Sequence, residues 1–585
     1  MSAYPDAESL LAIDVGNVYT RASFFSIVEG SYRLVATGKA SSTVGPPLLD
    51  AREGVRLALD EVQHVTGLRL VDETETLIMP SGKDGTGVDA FTATISGGPE
   101  IRTVLVGLMP GVSLQSMERL VESIYAKVEA EIGLVDGRRD EEKIDLILST
   151  QPDLVLIAGG TDGGAEAPMM HMVDLVRMAL ELMPEADRPH IVYAGNQQLA
   201  AAVTDRFTGS YSLSFSPNPR PLLGQENLAP ARRHLAEVIS RLRSARILGY
   251  GELDQWTGGG LMLNCDAFAR AMRFLSQIYS PEKGVLGVDL GANQTTLVAA
   301  QRGELHTHVL SDVGMGVALS GLLKHTAIED VMRWLPEETK PDVILDYIQN
   351  KQLFPWTIPV TEEEIHIEYA LARQVLRLAL ARARRGWPLA MREGDPAIMP
   401  PIEPVLASGG VLASAPSLNQ TALVLLDALQ PTGITSLVLD PHNLASALGA
   451  AADKVPMLTV QGMVSGSFVS LGTVVAPVGR GGRGRPVLRL RMEKADGEGV
   501  EGEILGGQLV VLPLAQGEQA KLILRPERAF DVGFGRPGKA GAVRVSGGVV
   551  GVIIDARGRP LRLPRAVGRC YELNRKWLWD IGALQ

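Results

Sequence analysis

Apolar runs broken by glycine dominate the chain, and two of them share one layout. Residues 284–300, GVLGVDLGANQTTLVAA, read as an apolar strand, a tight turn at Gly291 and a second strand. Residues 10–25, LLAIDVGNVYTRASFF, repeat it with a turn at Gly16. Strand spacing marks 32–37 and helical spacing 50–65. An amphipathic helix is expected over 113–132, then a solvated connection over 136–143. From Leu154 the pattern is β–loop–α–β: LVLIAGG, a helix over 171–183, then IVYAGN. Residues 217–230 are irregular, and 231–246 read as a helix with a basic, solvated face. A loop anchored by Trp256 is expected over 249–260. Helices are expected over 265–278, 311–323 after a turn, 328–350 and 363–385. A strand at 405–408 runs into Gly409–Gly410, followed by a strand at 437–440 and an Ala-rich helix at 443–452. Beyond residue 456 short alternating strands rich in Gly, Val and Arg suggest a small β-sandwich or barrel, with Trp577 and Trp579 pinning its end by burial.

The repeated hairpins carry chemistry. Asp14 and Asp289 close their first strands, where a carboxylate can hold Mg²⁺ directly or through water. Gly16 and Gly291 let backbone approach a phosphate, and successive N–H groups in such turns form an anion site. Thr20, Thr295 and Thr296 follow the turns and add hydroxyls. One such hairpin is equally an ordinary turn in an α/β protein, whereas two suggest similar halves facing one nucleotide. The glycine pair at 409–410 suits close approach of a nucleoside. The loop GGTDGG sets free N–H groups and Asp162 at the carboxyl end of a strand, where ligands lie in open α/β sheets. A tight βα turn of small residues is the alternative there.

Two phosphate hairpins and a glycine-pair element, in this order, resemble the actin-like ATPase superfamily. PDLVLIAGGTDGG at 152–164, YAGN at 193–196, VGLMP at 106–110, NLAPAR at 227–232 and SDVGMG at 311–316 narrow the resemblance. Together they resemble the MutL-type ATPase family associated with cobalamin-dependent glutamate mutase. The resemblance implies an α/β, two-lobed actin-like ATPase fold with an inserted βαβ region and a C-terminal all-β domain. The expected divisions are 1–97, first part of lobe I; 98–230, inserted α/β region; 231–455, second lobe; and 456–585, the β domain. Asp14 and Asp289 would position Mg²⁺, with the backbones at Gly16–Asn17 and Gly291–Ala292 on the phosphates of ATP. Gly409 and Gly410 would meet the adenosine. Asp312 would order the attacking water or, alternatively, cap a helix. The family's second hairpin has a Gly-Gly pair and an Asp after two threonines; Ala292 and Leu297 stand there in this chain. Losing that carboxylate is expected to slow or abolish hydrolysis while leaving binding intact.

Composition narrows the classes. A formal net charge of −11 over 585 residues opposes broad binding to nucleic acid or anionic membrane. The acidic N-terminus lacks a signal-peptide charge pattern, residues 1–9 read as a loose tail, and no apolar run is long enough to span a bilayer. Cys265 and Cys570 fit reduced, buried thiols in a cytoplasmic protein. GRGGRGRP at 479–486 lacks interleaved aromatics and reads as a hairpin loop sooner than an RNA-binding tract. The resemblance therefore implies an ATP-binding chaperone or reactivase for a cobalamin-dependent mutase or related radical enzyme, with a homodimer left open. A small-molecule kinase of the same fold and a non-hydrolysing nucleotide-dependent scaffold are the alternatives.

Overall fold

The computed structural model describes residues 7–495 and 497–584. The chain forms two compact units: residues 1–42, 54–95 and 256–585 make the first, residues 43–53 and 96–255 the second.

The first unit begins with β1 (Ser9–Val15), β2 (Tyr19–Val28) and β3 (Ser31–Ser41), an antiparallel meander. Residues 1–6 of the expected tail lie outside the described residues, while Ala7 is buried and Ser9 already opens β1. Helix α1 (Ala51–Thr66) starts in the second unit and enters the first, where β4 (Ala90–Ile95) lies parallel to β1.

The second unit is a parallel sheet of β5 (Arg102–Gly107), β6 (Lys127–Gly133), β7 (Leu154–Ala158), β8 (His190–Tyr193) and β9 (Leu213–Phe215), ordered β6-β5-β7-β8-β9. Its helices are α2 (Gln115–Val121), α3 (Asp140–Thr150), α4 (Ala167–Glu181), α5 (Ala200–Arg206) and α6 (Leu228–Ser244). The helix expected over 113–132 stops at Val121, because KVEAEIG alternates with period two and pairs with β5. The connection expected over 136–143 already contains the start of α3, and Lys143 is buried. Helix α6 is not simply solvated: Arg243 is buried and donates to the carbonyls of Ser96 and Gly97.

The chain re-enters the first unit in α7 (Tyr250–Thr257), a helix where a loop was expected; Trp256 packs edge-on against Phe91. Strand β10 (Met262–Leu263) joins β4 and leads into α8 (Asn264–Ile278). A second meander follows: β11 (Gly284–Leu290), β12 (Thr295–Gln301) and β13 (Glu304–Leu310). The expected helix 328–350 is split into α9 (Ile328–Met332) and α10 (Pro341–Leu353), because Pro336 interrupts it and Pro341 starts a new first turn. Helix α11 (Glu362–Ala383) is closed at its start by a Thr361–Glu364 capping box. Then come β14 (Ile402–Ser408), α12 (Gly410–Ala413), α13 (Leu418–Leu429), β15 (Gly433–Asp440), α14 (Leu444–Ala451), α15 (Pro456–Val464) and β16 (Val469–Ala476).

The first sheet runs β10-β4-β1-β2-β3, and the second begins β13-β12-β11-β14-β15. Each is a meander whose first strand pairs in parallel with the next. One sheet arrangement is therefore repeated within the unit. Strand β11 is buried on both faces, as its unbroken apolar run requires. Helices α8 and α14 pack together at Gly449, where a Cβ would fall 1.9 Å from the Ala267 carbonyl oxygen.

The C-terminal strands divide between two sheets. Strand β16, Gly551–Asp555 and Leu509–Leu512 extend the sheet of β11 to eight strands. Pro486–Lys494, Gly499–Leu505, Gln519–Pro526 and Gly541–Ser546 make a separate antiparallel sheet of four. The chain then ends in a helix, α16 (Gly568–Asp580), which buries Trp577 and leaves Trp579 exposed, so only the first of the two tryptophans anchors the end. Cys265 and Cys570 are free and buried. No helix among the described residues is long and apolar enough to cross a membrane.

Candidate functional site

Strands β1 and β11 end at equivalent turns, and strand register carries the equivalence sideways. Asp14 lies opposite Arg21 on β2 and Thr94 on β4. Asp289 lies opposite Thr296 on β12 and Ser408 on β14, and Ser408 lies opposite Asp440 on β15.

Asp14 is buried and engaged on both oxygens. Thr94 Oγ1 and Asn264 Nδ2 each donate to its Oδ1 at 2.8 Å, and Asn443 Nδ2 donates to its Oδ2 at 2.8 Å. The Arg21 guanidinium lies 3.7 Å from Oδ2. Asn264 opens α8, and Asn443 precedes α14 in the left-handed region, at φ 60°. Ser446 donates to Asn264 Oδ1 at 3.2 Å, and Ser408 donates to Asn443 Oδ1 at 3.0 Å. One carboxylate of the first repeat is thus held by the starts of two helices packed between the sheets.

Asp289 differs. It is half-buried, and no described residue donates a hydrogen bond to its carboxylate. Burial first, then the negative charges of Asp14 and Asp440, push its carboxyl up to about 7, against the pull of Arg21. The negative charge of Asp14 thus reaches Asp289. Asp440 is buried beside them; burial pushes its carboxyl up, while the N–H groups of His442, Leu444 and Ala445 hold its charge at 3.3, 2.9 and 2.7 Å.

Both turns are half-open to solvent. Gly16 N–H donates to the Tyr19 carbonyl at 3.0 Å, and Ser42 Oγ donates to the Gly16 carbonyl at 2.7 Å. Asn17 sits in this first turn. In the second, Gly291 N–H donates to the Gln294 carbonyl at 3.0 Å, and a Cβ at Gly291 would lie 2.7 Å from that oxygen. The carbonyls of Gly291 and Ala292 accept from the N–H groups of Met315 and Gly316 at 2.9 and 2.7 Å. Thr20, Thr295 and Thr296 are all buried behind their turns, and Thr295 Oγ1 donates to the Val313 carbonyl at 3.2 Å. Gly409, at φ 116°, passes so close to β11 that a Cβ would fall 2.2 Å from the Leu290 carbonyl oxygen, while the Cβ position of Gly410 faces open space.

Two expected residues have other partners. Asp312 lies 3.3 Å from both Arg382 and His325. Asp162 lies in the second unit, where its Oδ1 accepts from Gln197 N–H at 3.1 Å and Asn218 Nδ2 at 3.0 Å. Thr94, Asn264, Ser408, Asp440 and Asn443 were not found from sequence. Short polar residues at strand ends and helix starts carry no signal beyond that of a cap.

Among the described residues, no three or more His, Cys, Asp or Glu could hold a metal ion together. Two acids beside backbone turns instead fit magnesium, which keeps several waters and takes phosphate oxygens.

Residues 10–464 match the family described as MutL protein. The chain belongs to that family. The match spans both hairpins, the whole second unit and α14, and ends at α15. The MutL protein of Clostridium tetanomorphum is 22% identical over 394 residues, covering 64% of this chain and 78% of that one. Among solved structures, nucleotide-free acetone carboxylase is 13% identical, with 86% of this chain and 81% of that chain covered and a TM-score of 0.34. Glycerol dehydratase reactivase is 12% identical, with 76% and 99% covered and a TM-score of 0.30. The MutL match leaves the C-terminal strands and α16 outside it.

Proposed function

We propose that this chain binds ATP with Mg²⁺ between its two repeated hairpins and uses the nucleotide to act on a cobalamin-dependent mutase or related radical enzyme, as a chaperone or reactivase. The matching places of Asp14 and Asp289, each closing the first strand of its meander before a glycine turn, carry this reading. Mg²⁺ bound there would neutralise phosphate charge. Asp289, to which no described residue donates a hydrogen bond, is the carboxylate open to the ion's hydration shell. Asp14, fixed by Thr94, Asn264 and Asn443, sets the position of the first turn. Arg21 supplies a cation beside Asp14 whose charge also reaches Asp289, and the backbones of Gly16–Asn17 and Gly291–Ala292 would receive the phosphates. Thr20, Thr295 and Thr296 support these turns from behind. Gly410 offers the open backbone for the nucleoside, with Gly409 holding it against β11.

The mutase or radical-enzyme partner comes from the family, whose Clostridium tetanomorphum member is named Protein MutL, with a distant likeness to a dehydratase reactivase alongside it. A phosphate-release assay with Asp14→Ala and Asp289→Ala tests the nucleotide site; unchanged release in both removes it. Pull-down of a purified mutase with and without ATP tests the partner, and association indifferent to nucleotide counts against it.

A second reading, nucleotide binding with little or no turnover, is favoured by two observations. Leu297, where the family carries an acid, is fully buried in the apolar core, and Asp312 is paired with Arg382. Tight ATP binding without phosphate release distinguishes it.

A further inference from the structure

Between α10 and α11 the chain holds a row of large apolar side chains in water. Phe354, Trp356, Ile358 and Val360 alternate with Pro355, Thr357 and Pro359, and their exposures run from 48% to 88%. Leu353 extends the row. Isolated exposed apolar residues are ordinary, but a contiguous row is a mark of an interaction surface.

Hydrogen bonds and one ring contact hold the row in place. Thr357 N–H and Oγ1 donate back to the Phe354 carbonyl at 3.0 and 2.8 Å. Lys351, buried and paired with buried Glu368 at 2.6 Å, donates to the Thr357 carbonyl. Glu364 accepts from the N–H groups of Val360 and Thr361 at 2.7 and 3.2 Å. Phe354 and Trp356 rest edge to face, with ring centroids 5.8 Å apart. A segment fixed this way loses little conformational freedom on docking.

Its base touches the second hairpin turn. Gly316 N–H donates to Ala292, and a Cβ at Gly316 would lie 2.9 Å from the Cβ atoms of both Ala292 and Pro355. Gln352 Nε2 donates to the Val317 carbonyl and to Ser320 at 3.1 and 2.6 Å. A shift of the Gly291–Ala292 turn therefore reaches the apolar row through one glycine.

The charges beside the row select the occupant. Glu362 and Glu363, in the first turn of α11 directly after the row, are both exposed acids. A second copy of this chain, with its net charge of −11, or an anionic membrane would bring like charge to like. We propose that residues 353–360 are the docking element for a different protein, one presenting an apolar groove bordered by lysine and arginine, and that the Ala292 turn adjusts this docking. The second clause rests on the nucleotide reading above; the first does not.

The test puts a photo-cross-linking residue at Trp356 of the full chain, with Leu182, an exposed residue of the second unit, as control. Cells making each variant are irradiated, and the protein joined at position 356 is identified and purified. It is then titrated with wild type, Ile358→Asp and Asp289→Asn, with and without ATP. A protein joined at 356 and not at 182, bound at least about tenfold more weakly by Ile358→Asp while that variant binds ATP as wild type does, is the expected result. The same adducts at both positions, adducts with a second copy or with lipid, or equal binding by Ile358→Asp would overturn the docking element. Binding that depends on Ile358 and ignores ATP in wild type overturns only the link to the turn.

Discussion

Asp14 and Asp289 occupy matching places in two strands but have different surroundings. Asp14 receives three donors, and Asp289 receives none from the described residues. In the folded protein the Asp289 carboxyl is pushed up to about 7, whereas in the unfolded chain it gives up its proton near 3.8. The folded state thus binds the extra proton between those values, and stability contributed by this group falls as pH rises from about 4 to about 7. Asp289→Asn is expected to raise the melting temperature at pH 8 and leave it unchanged at pH 4. By the same linkage, wild-type affinity for Mg-ATP, measured by calorimetry, falls about tenfold from pH 8 to pH 6 as protons compete for the carboxylate. Asn443→Ala removes one donor from a buried carboxylate and is expected to cost about 1.5–3 kcal/mol in denaturant unfolding, with weaker ATP binding. The aspartates and their glycines were legible because an acid before a glycine turn, written twice, is an unusual pattern. Asn264 and Asn443 were not, because their role depends on two helices meeting a strand hundreds of residues away, and each alone reads as a helix start.

At the level of elements, the glycines that place the site do so by letting backbones touch. Gly449→Val drives a side chain into the Ala267 carbonyl and parts α8 from α14. Because Asn264 and Asn443 sit at the starts of these helices, the expected result is a loss of about 1–3 kcal/mol or more together with weakened ATP binding, read by melting and calorimetry. Both hairpins, β14 and α8 were readable from unbroken apolar runs and helical spacing. The segment 113–132 was not, since a short helix followed by a half-buried parallel strand imitates one amphipathic helix. The split at 328–350 hinged on Pro336 and Pro341, which bend the path around buried Trp334 and Leu335. Helix α7 was hidden among the glycines of its flanks.

Across the whole molecule, the C-terminal segment is fastened to the central sheet by buried charge. Arg557 bridges Asp555 at 2.9 Å and Asp427 of α13 at 2.8 Å, and its guanidinium lies 4.6 Å from the centre of the Trp577 ring. Arg559 and Arg373 complete the network at 2.8 and 2.7 Å. The Arg557 and Arg559 guanidiniums hold the Asp555 carboxyl well below the usual carboxylate range despite its burial. Arg557→Ala leaves two buried acids short of a partner and is expected to cost about 3–5 kcal/mol, seen as earlier unfolding and as protease access to the segment after β16. Sequence could mark where composition changes but not that β16, Gly551–Asp555 and Leu509–Leu512 extend the main sheet, because strand order between distant segments leaves no local trace. The central claim remains the shared pocket of the two repeats. Calorimetric titration of Mg-ATP into wild type, Asp14→Ala and Asp289→Ala tests it most directly: one saturable site in wild type, weakened at least about tenfold by either substitution, is predicted, and affinity unchanged in both variants would contradict it.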